Sequence, residues 1–150
     1  MPLLAAVVFT NVACSDVTES SYSSLSNAKD RGAVERGWVP ALLNEEIFNI
    51  REIHNIDTNE RWGTFQFTKG KNPVDTSKLT TVSAAEVAKQ AFREPAVSWW
   101  PSILRLPIAE LKLSQSGFQI YTDSEARLLF AYNSGKGIGY FWSVDQGTRQ

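Results

Sequence analysis

The sequence predicts an α+β domain: an antiparallel sheet of four to five strands with two or three helices packed on one face. Three observations lead there. Ser83-Ala84-Ala85-Glu86 is a capping box, the most explicit helix start in the chain, with Val82 and Val87 at the positions of a hydrophobic staple. Residues 50–67 read as a hairpin, two strand-like runs about the turn formers Asp57-Thr58-Asn59-Glu60. The last third alternates apolar and polar residues between short, Gly-bearing turns, as successive hairpins do. With 150 residues, 43% hydrophobic and 21% charged, the chain has the size and apolar content for one packed domain.

The N-terminus carries a different signal. Residues 3–10 are apolar or small, too few for a membrane-spanning helix but the length of a signal-peptide core. Polarity switches abruptly at Val12-Ala13-Cys14, beyond which Ser15 to Ser24 is rich in small hydroxyls. The junction resembles a bacterial lipoprotein box, with Asn11 in place of the usual Leu and no Lys or Arg before the apolar run. A start placed too far downstream would account for the missing positive charge. The resemblance implies that residues 1–13 are a signal peptide and that Cys14 receives lipid. Acyl chains then hold the protein on a membrane at about 0.8 kcal/mol per buried methylene, and Ser15 implies sorting to the outer rather than the inner membrane. Residues 14–24 become a lipidated Cys and flexible linker, and residues 25–150 the single domain. The alternative is a buried strand over residues 3–10 with Cys14 as an ordinary core thiol.

Along the folded part, Tyr22, Leu25 and Ala28 recur at helical spacing, with Gly32 as the stop. Pro40 forces Val39 into extended backbone. Asn44-Glu45-Glu46 offers a cap and two carboxylates for one or two helical turns to about Phe48. In the hairpin, Phe65 and Phe67 point one way and Trp62, Thr64 and Gln66 the other. Ile47, Ile50, Ile53 and Ile56 repeat every three residues, which fits neither helix nor strand. Residues 70–78 form a loop. From the capping box, Val87, Ala88, Ala91 and Phe92 make one apolar stripe, predicting a helix from Ala84 to about Arg93 before Pro95. Strands follow over residues 117–122, 127–132 and 138–144, with turns at Asp123-Ser124-Glu125 and Asn133 to Gly137.

Candidate chemistry is sparse. Lys+Arg 15 against Asp+Glu 16 gives a formal charge of −1, without the basic excess of a nucleic-acid-binding chain. One Cys and one His exclude a disulfide framework and multi-thiolate or multi-histidine metal sites within the chain. Glu52, His54 and Asp57 could form a metal site or a base–orienter pair, or could be a solvent-facing His beside carboxylates. Gly135-Lys136-Gly137-Ile138-Gly139 looks like a phosphate loop, but Tyr140-Phe141-Trp142 after it is strand-like, so a hairpin turn is expected. Lys69, Lys71 and Lys78 read as a solvated loop. Trp99-Trp100 is the candidate binding surface. Neighbours on an extended segment face opposite ways, and aromatic rings anchor protein interfaces and stack on sugars; the alternative is that both pack inside. Trp38 reads as a core anchor.

Three stretches carry a further resemblance: Arg36-Gly-Trp-Val-Pro-Ala-Leu-Leu43, Ile50-Arg-Glu-Ile-His-Asn-Ile-Asp-Thr-Asn59 and Trp62-Gly-Thr-Phe-Gln-Phe67. They are similar to small bacterial envelope proteins with a YbbD-type head domain, over about residues 22–68. The resemblance implies an envelope location and transfers no catalytic residue. The leading expectation is a non-enzymatic envelope lipoprotein, a binding or accessory module with no cofactor. Its partners would be the membrane through its lipid and an envelope protein or glycan, not nucleic acid. The rivals are an inhibitor or immunity protein blocking an envelope-acting hydrolase or toxin, and a weak metal-assisted hydrolase around Glu52, His54 and Asp57.

Overall fold

The computed structural model describes residues 16–90, 92–123 and 127–144. Cys14 and the expected signal peptide lie outside them, as does most of the turn expected at Asp123-Ser124-Glu125. The described chain is one antiparallel sheet of seven strands. In chain order the strands are β1 (Val17–Ser24), β2 (Phe48–Asn55), β3 (Arg61–Gln66), β4 (Thr80–Thr81), β5 (Gln119–Asp123), β6 (Leu128–Asn133) and β7 (Ile138–Ser143). Their order across the sheet is β1-β2-β3-β7-β6-β5-β4. Two meanders, one N-terminal and one C-terminal, therefore join edge to edge through β3 and β7. The helices are α1 (Leu25–Asp30), α2 (Ala84–Lys89) and α3 (Glu110–Gln115). Among the described residues no helix is long and apolar enough to cross a membrane.

The α+β class holds, but four to five strands is too few, and the helices do not share a face. One core packs α1 and the segments around Val39, Leu43, Ile47 and Val74 against Ile50, Phe65, Phe130 and Phe141. The other packs Val87 of α2, Leu113 of α3, Phe92, Trp100 and Leu104 against Ile53, Trp62, Leu129 and Trp142. The sheet is thus covered on both sides. That is why β6, Leu-Leu-Phe-Ala-Tyr-Asn, is buried at every residue and runs apolar without alternation.

Other departures have local causes. The serine-rich stretch expected as a linker is edge strand β1. It pairs with β2 from Val17↔Asn55 to Ser24↔Phe48, and Tyr22 drives its ring into the first core. Small hydroxyls suit its remaining, largely exposed positions. No helix forms at Asn44-Glu45-Glu46. The Asn44 side chain donates to the Asn72 carbonyl at 2.6 Å, its backbone N–H donates to Pro73, and Leu43 bridges Val74. The isoleucine spacing of three comes from a bulge. Asn49, at φ 49°, sits where β2 holds one residue more than β3 between Phe48 and Arg51. Ile47 and Ile50 enter the first core, Ile53 the second, and Ile56 stands 67% exposed at the turn.

Helix α1 starts later than the Tyr22–Leu25–Ala28 spacing implies, because Tyr22 belongs to β1; Ser24 caps it by accepting from the Asn27 N–H, and Gly32 follows it at φ 70° as the expected stop. Ser83 and Glu86 make both bonds of the capping box on α2. That helix stops at Lys89 rather than near Arg93, with Gln90 extended. Phe92 is drawn in against Trp100 and Trp142, and the Arg93 carbonyl accepts from the Trp62 indole at 2.8 Å.

The β3–β7 ladder is built from reciprocal pairs, Gly63 opposite Phe141 and Phe65 opposite Gly139. Each phenyl ring lies over the glycine facing it. A methyl at Gly63 would stand 2.0 Å from the Phe141 ring, and one at Gly139 would stand 2.3 Å from Phe65. This is a ring filling the space that a strand glycine leaves. Gly63→Ala and Gly139→Ala should each destabilise the fold by about 1–3 kcal/mol or more through overpacking. Urea denaturation should also show Gly63→Ala/Phe141→Leu losing less than the sum of the two single changes.

Candidate functional site

Two constellations stand out, one sealed and one open. The sealed one begins with strand parity, since Glu52 and His54 lie two apart on β2 and face the first core with Ile50. Both are buried, at 0% and 2% exposure. Glu52 Oε2 lies 2.8 Å from His54 Nδ1, and its Oε1 accepts from the Tyr22 hydroxyl at 3.2 Å. The Trp38 ring stacks flat on the His54 imidazole, centroids 3.8 Å apart, and the Arg36 guanidinium covers the other face of this lid, 4.2 Å from the Trp38 ring centre. Arg61 pairs across the ladder with His54, and burial pulls its guanidinium below the usual range. His54 Nε2 and Arg61 Nε are buried without a hydrogen-bond partner. Burial likewise pushes the Glu52 carboxyl above its ordinary value, partly offset by its bonds from His54 and Tyr22.

His54 is therefore not the solvent-facing residue the sequence also allowed, and Asp57 does not join it. Asp57 sits on the turn, its N–H donating to Asn55 Oδ1, and a hydrogen bond shared with the Asp16 carboxyl raises its pKa. Among the described residues no group of three or more His, Cys, Asp or Glu side chains is placed to hold a metal. The expected three-residue cluster is in fact a buried pair, and its geometry gives the metal-hydrolase reading no ligand set.

The open constellation lies on the other face of the sheet. Half of that face is covered: in the row Glu19, Ile53, Trp62, Trp142 the last three pack with Phe92 and Trp100, while Glu19 at the sheet edge is exposed. The next rows are not covered. Ser21, Arg51, Thr64 and Tyr140 follow one another across four strands, and Gln66 pairs with Ile138 beyond them. They floor a groove of about 520 Å³ with Trp99 at its rim. A second hollow of about 600 Å³ shares Ile138 and Tyr140 and is walled by Pro101, Ile103, Phe118, Lys112 and Lys136. The two hollows adjoin at Ile138 and Tyr140, and the trough is the pair of them.

The two tryptophans do part ways, but residues 98–100 form a turn and bend and not the extended segment expected. Trp100 is 2% exposed, packs edge-on to Tyr140 and Trp142, and donates to the Leu104 carbonyl at 3.2 Å. Trp99 is half-buried, and its indole N–H donates to Glu19 Oε1 at 2.8 Å. Of the two candidate surface residues, Trp99 alone lines the trough. Sequence reasoning missed Arg51, Thr64, Tyr140, Lys112 and Lys136. The period-two reading of β3 placed Thr64 and Gln66 on one face, but their neighbours come from strands whose pairing no local pattern gives. The Gly135–Gly139 segment is the expected hairpin turn, with Gly137 at φ 68° and its N–H bonded to the Asn133 carbonyl.

Residues 16–66 match the family model described as the YbbD head domain. This bears out the resemblance read from the sequence. The match covers β1, α1, β2 and β3, the N-terminal meander, and stops short of the strands it pairs with. No curated protein and no solved structure gives a match.

The buried carboxyl has a pH signature. The unfolded Glu52 releases its proton near 4.5, the folded one at a higher pH. The native state thus holds more protons in that interval, and stability falls as pH rises through it. The stability of wild type relative to Glu52→Gln should be greatest below pH 4.5 and decline above it in urea titrations. Asp75, Glu86 and Glu94, whose carboxyls are held low by their hydrogen bonds, act in the opposite sense but equally in both proteins. Tyr22→Phe, which strips a donor from the buried carboxyl, should cost about 1–3 kcal/mol.

Proposed function

We propose that this protein is a non-enzymatic binding or accessory module of the bacterial cell envelope, anchored by lipid on Cys14, and that the Trp99-rimmed trough is its working surface. The observation that carries the reading is the contrast between the two constellations. The Glu52–His54 pair is shut beneath Trp38, while the groups along the open groove are aromatic rings, hydroxyls, amides and cations. Such a lining offers stacking, hydrogen bonds and charge that orient a ligand. The head-domain match over residues 16–66 is consistent with an accessory role.

The anchor reading changes in one respect from the sequence expectation. With β1 starting at Val17, only Ser15 and Asp16 separate Cys14 from the sheet. Three residue steps reach at most about 10 Å. In this reading the lipid holds the domain close against the bilayer, with the Asn55–Glu60 turn near the surface, instead of letting it tumble on a leash. Inhibition of an envelope hydrolase would use the same exposed surface and is distinguished by partner, not by geometry.

Metabolic labelling with a palmitate analogue should mark wild type and leave Cys14→Ser unmarked; equal labelling overturns the anchor. The trough is tested by retention on isolated cell envelopes. Trp99→Ala should lose retention with its fold intact and a smaller loss of stability than truncation of its neighbour. Trp100→Ala should instead lose about 3–5 kcal/mol of stability, as buried aromatic truncations do.

A further inference from the structure

We infer that the trough receives a carboxylate-bearing glycan chain, an inference that rests on the groove reading above and names its ligand. Charge is the first ground. Arg51 lies in the floor, and Lys112 and Lys136 flank the far hollow. All three are exposed and make no ion pair among the described residues. No Asp or Glu lines either hollow. The Glu19 carboxylate, on the same strand as Ser21, is engaged by the Trp99 indole. A chain of formal charge −1 thus concentrates cations along one groove, which attracts and orients an anion.

The neutral lining narrows the class. Ser21, Ser23, Asn49, Thr64 and Gln66 offer hydroxyls and amides, groups that both donate and accept, as sugar hydroxyls require. Asn49 Nδ2 and Gln66 Oε1, 2.8 Å apart, fix each other's orientation. Trp99 supplies a flat apolar wall to stack on the C–H face of a sugar ring, and Phe118 and Tyr140, 5.9 Å apart, continue the apolar surface into the second hollow. From β1 to β7 the floor crosses three inter-strand spacings, about 14 Å, and the second hollow extends it. An elongated ligand therefore fits better than a compact one. Single-stranded nucleic acid needs cations tracking every phosphate and successive stacking platforms, where three cations are spread over the whole trough. An acidic peptide would satisfy the cations but would leave the run of hydroxyls and the Trp99 face without matched partners.

Affinity electrophoresis tests the assignment. The protein is run through gels holding polygalacturonate, peptide-free peptidoglycan glycan strands, neutral dextran, polyglutamate or oligo-dT. Retardation is expected with at least one of the two carboxylate glycans, and at least tenfold less with the others. Trp99→Ala, Arg51→Gln and Lys112→Gln/Lys136→Gln should each weaken glycan binding tenfold or more, with far-UV dichroism unchanged and, for the Arg51 and Lys variants, the unfolding midpoint unchanged as well. Retardation by neither carboxylate glycan overturns the inference. So does equal retardation by dextran, tighter binding of polyglutamate or oligo-dT, or full glycan affinity in the Arg51 and Lys variants. If Trp99→Ala loses envelope retention while neither carboxylate glycan binds, the ligand is wrong and the groove reading stands. If it keeps both envelope retention and glycan affinity, both fall.

Discussion

The two meanders meet along a single ladder, β3 against β7, and most of the molecule is a consequence of that contact. Main-chain bonds alone would join them, but the rings of Phe65 and Phe141 sit where side chains at 139 and 63 would have to be. Glycine at both positions lets two phenyl groups occupy one layer, where they reach Phe67 and the rest of the first core. With the ladder closed, seven strands present two continuous faces, each long enough to bury a cluster of aromatic and aliphatic side chains. Without it, the three-stranded N-terminal unit would expose the edge of β3 and half of each core.

The same ladder makes the trough composite. Thr64 faces Tyr140 and Gln66 faces Ile138 across it, so the floor exists only where the two meanders join. The part matched by the head-domain model supplies Ser21, Arg51 and Thr64, while the remainder supplies Tyr140, Trp99 and both lysines. On this view, proteins that share only the N-terminal unit need not share the ligand. What the shared unit does contain whole is the Tyr22–Glu52–His54 set and its Trp38 lid. Tyr22 and His54 both bond to the buried Glu52 carboxyl, while His54 Nε2 has no partner among the described residues, so the set is a partly satisfied network that adds little net stability.

How much of this was legible depends on how local each signal is. The capping box of Ser83 and Glu86, the Asp57–Glu60 turn and the Asn133–Gly137 hairpin are decided within a few residues, and each formed as read. Helix α3 was not foreseen because Ala109 provides no side-chain cap and Leu113 is its one buried residue. Strand β1 was read as a linker because its partner, β2, lies some thirty residues away, and Ser and Thr are equally at home in coil and on an exposed edge. The two-sided sheet was in fact written in the unbroken apolar run Leu128–Tyr132, which alternation-based reading treats as an ordinary strand. At the site, Trp99 and Trp100 part ways on a turn, where strand alternation gives no guide. The burial of Glu52 and His54 was hidden because a polar pair on a strand carries no mark of which face the core will take.

The fate of Trp99 links the open half of the second face to the edge strand. An indole next to the core cluster gains by sinking into it, as Trp100 does against Tyr140 and Trp142. Trp99 instead leans edge-on against Trp100 and spends its N–H on Glu19 of the edge strand. That bond ties the rim of the groove to the edge strand. A Leu at 99 could fill the same boundary but has no donor to hold it there. The edge strand that sequence alone assigns to a tether thus supplies the acceptor that orients the Trp99 indole at the groove.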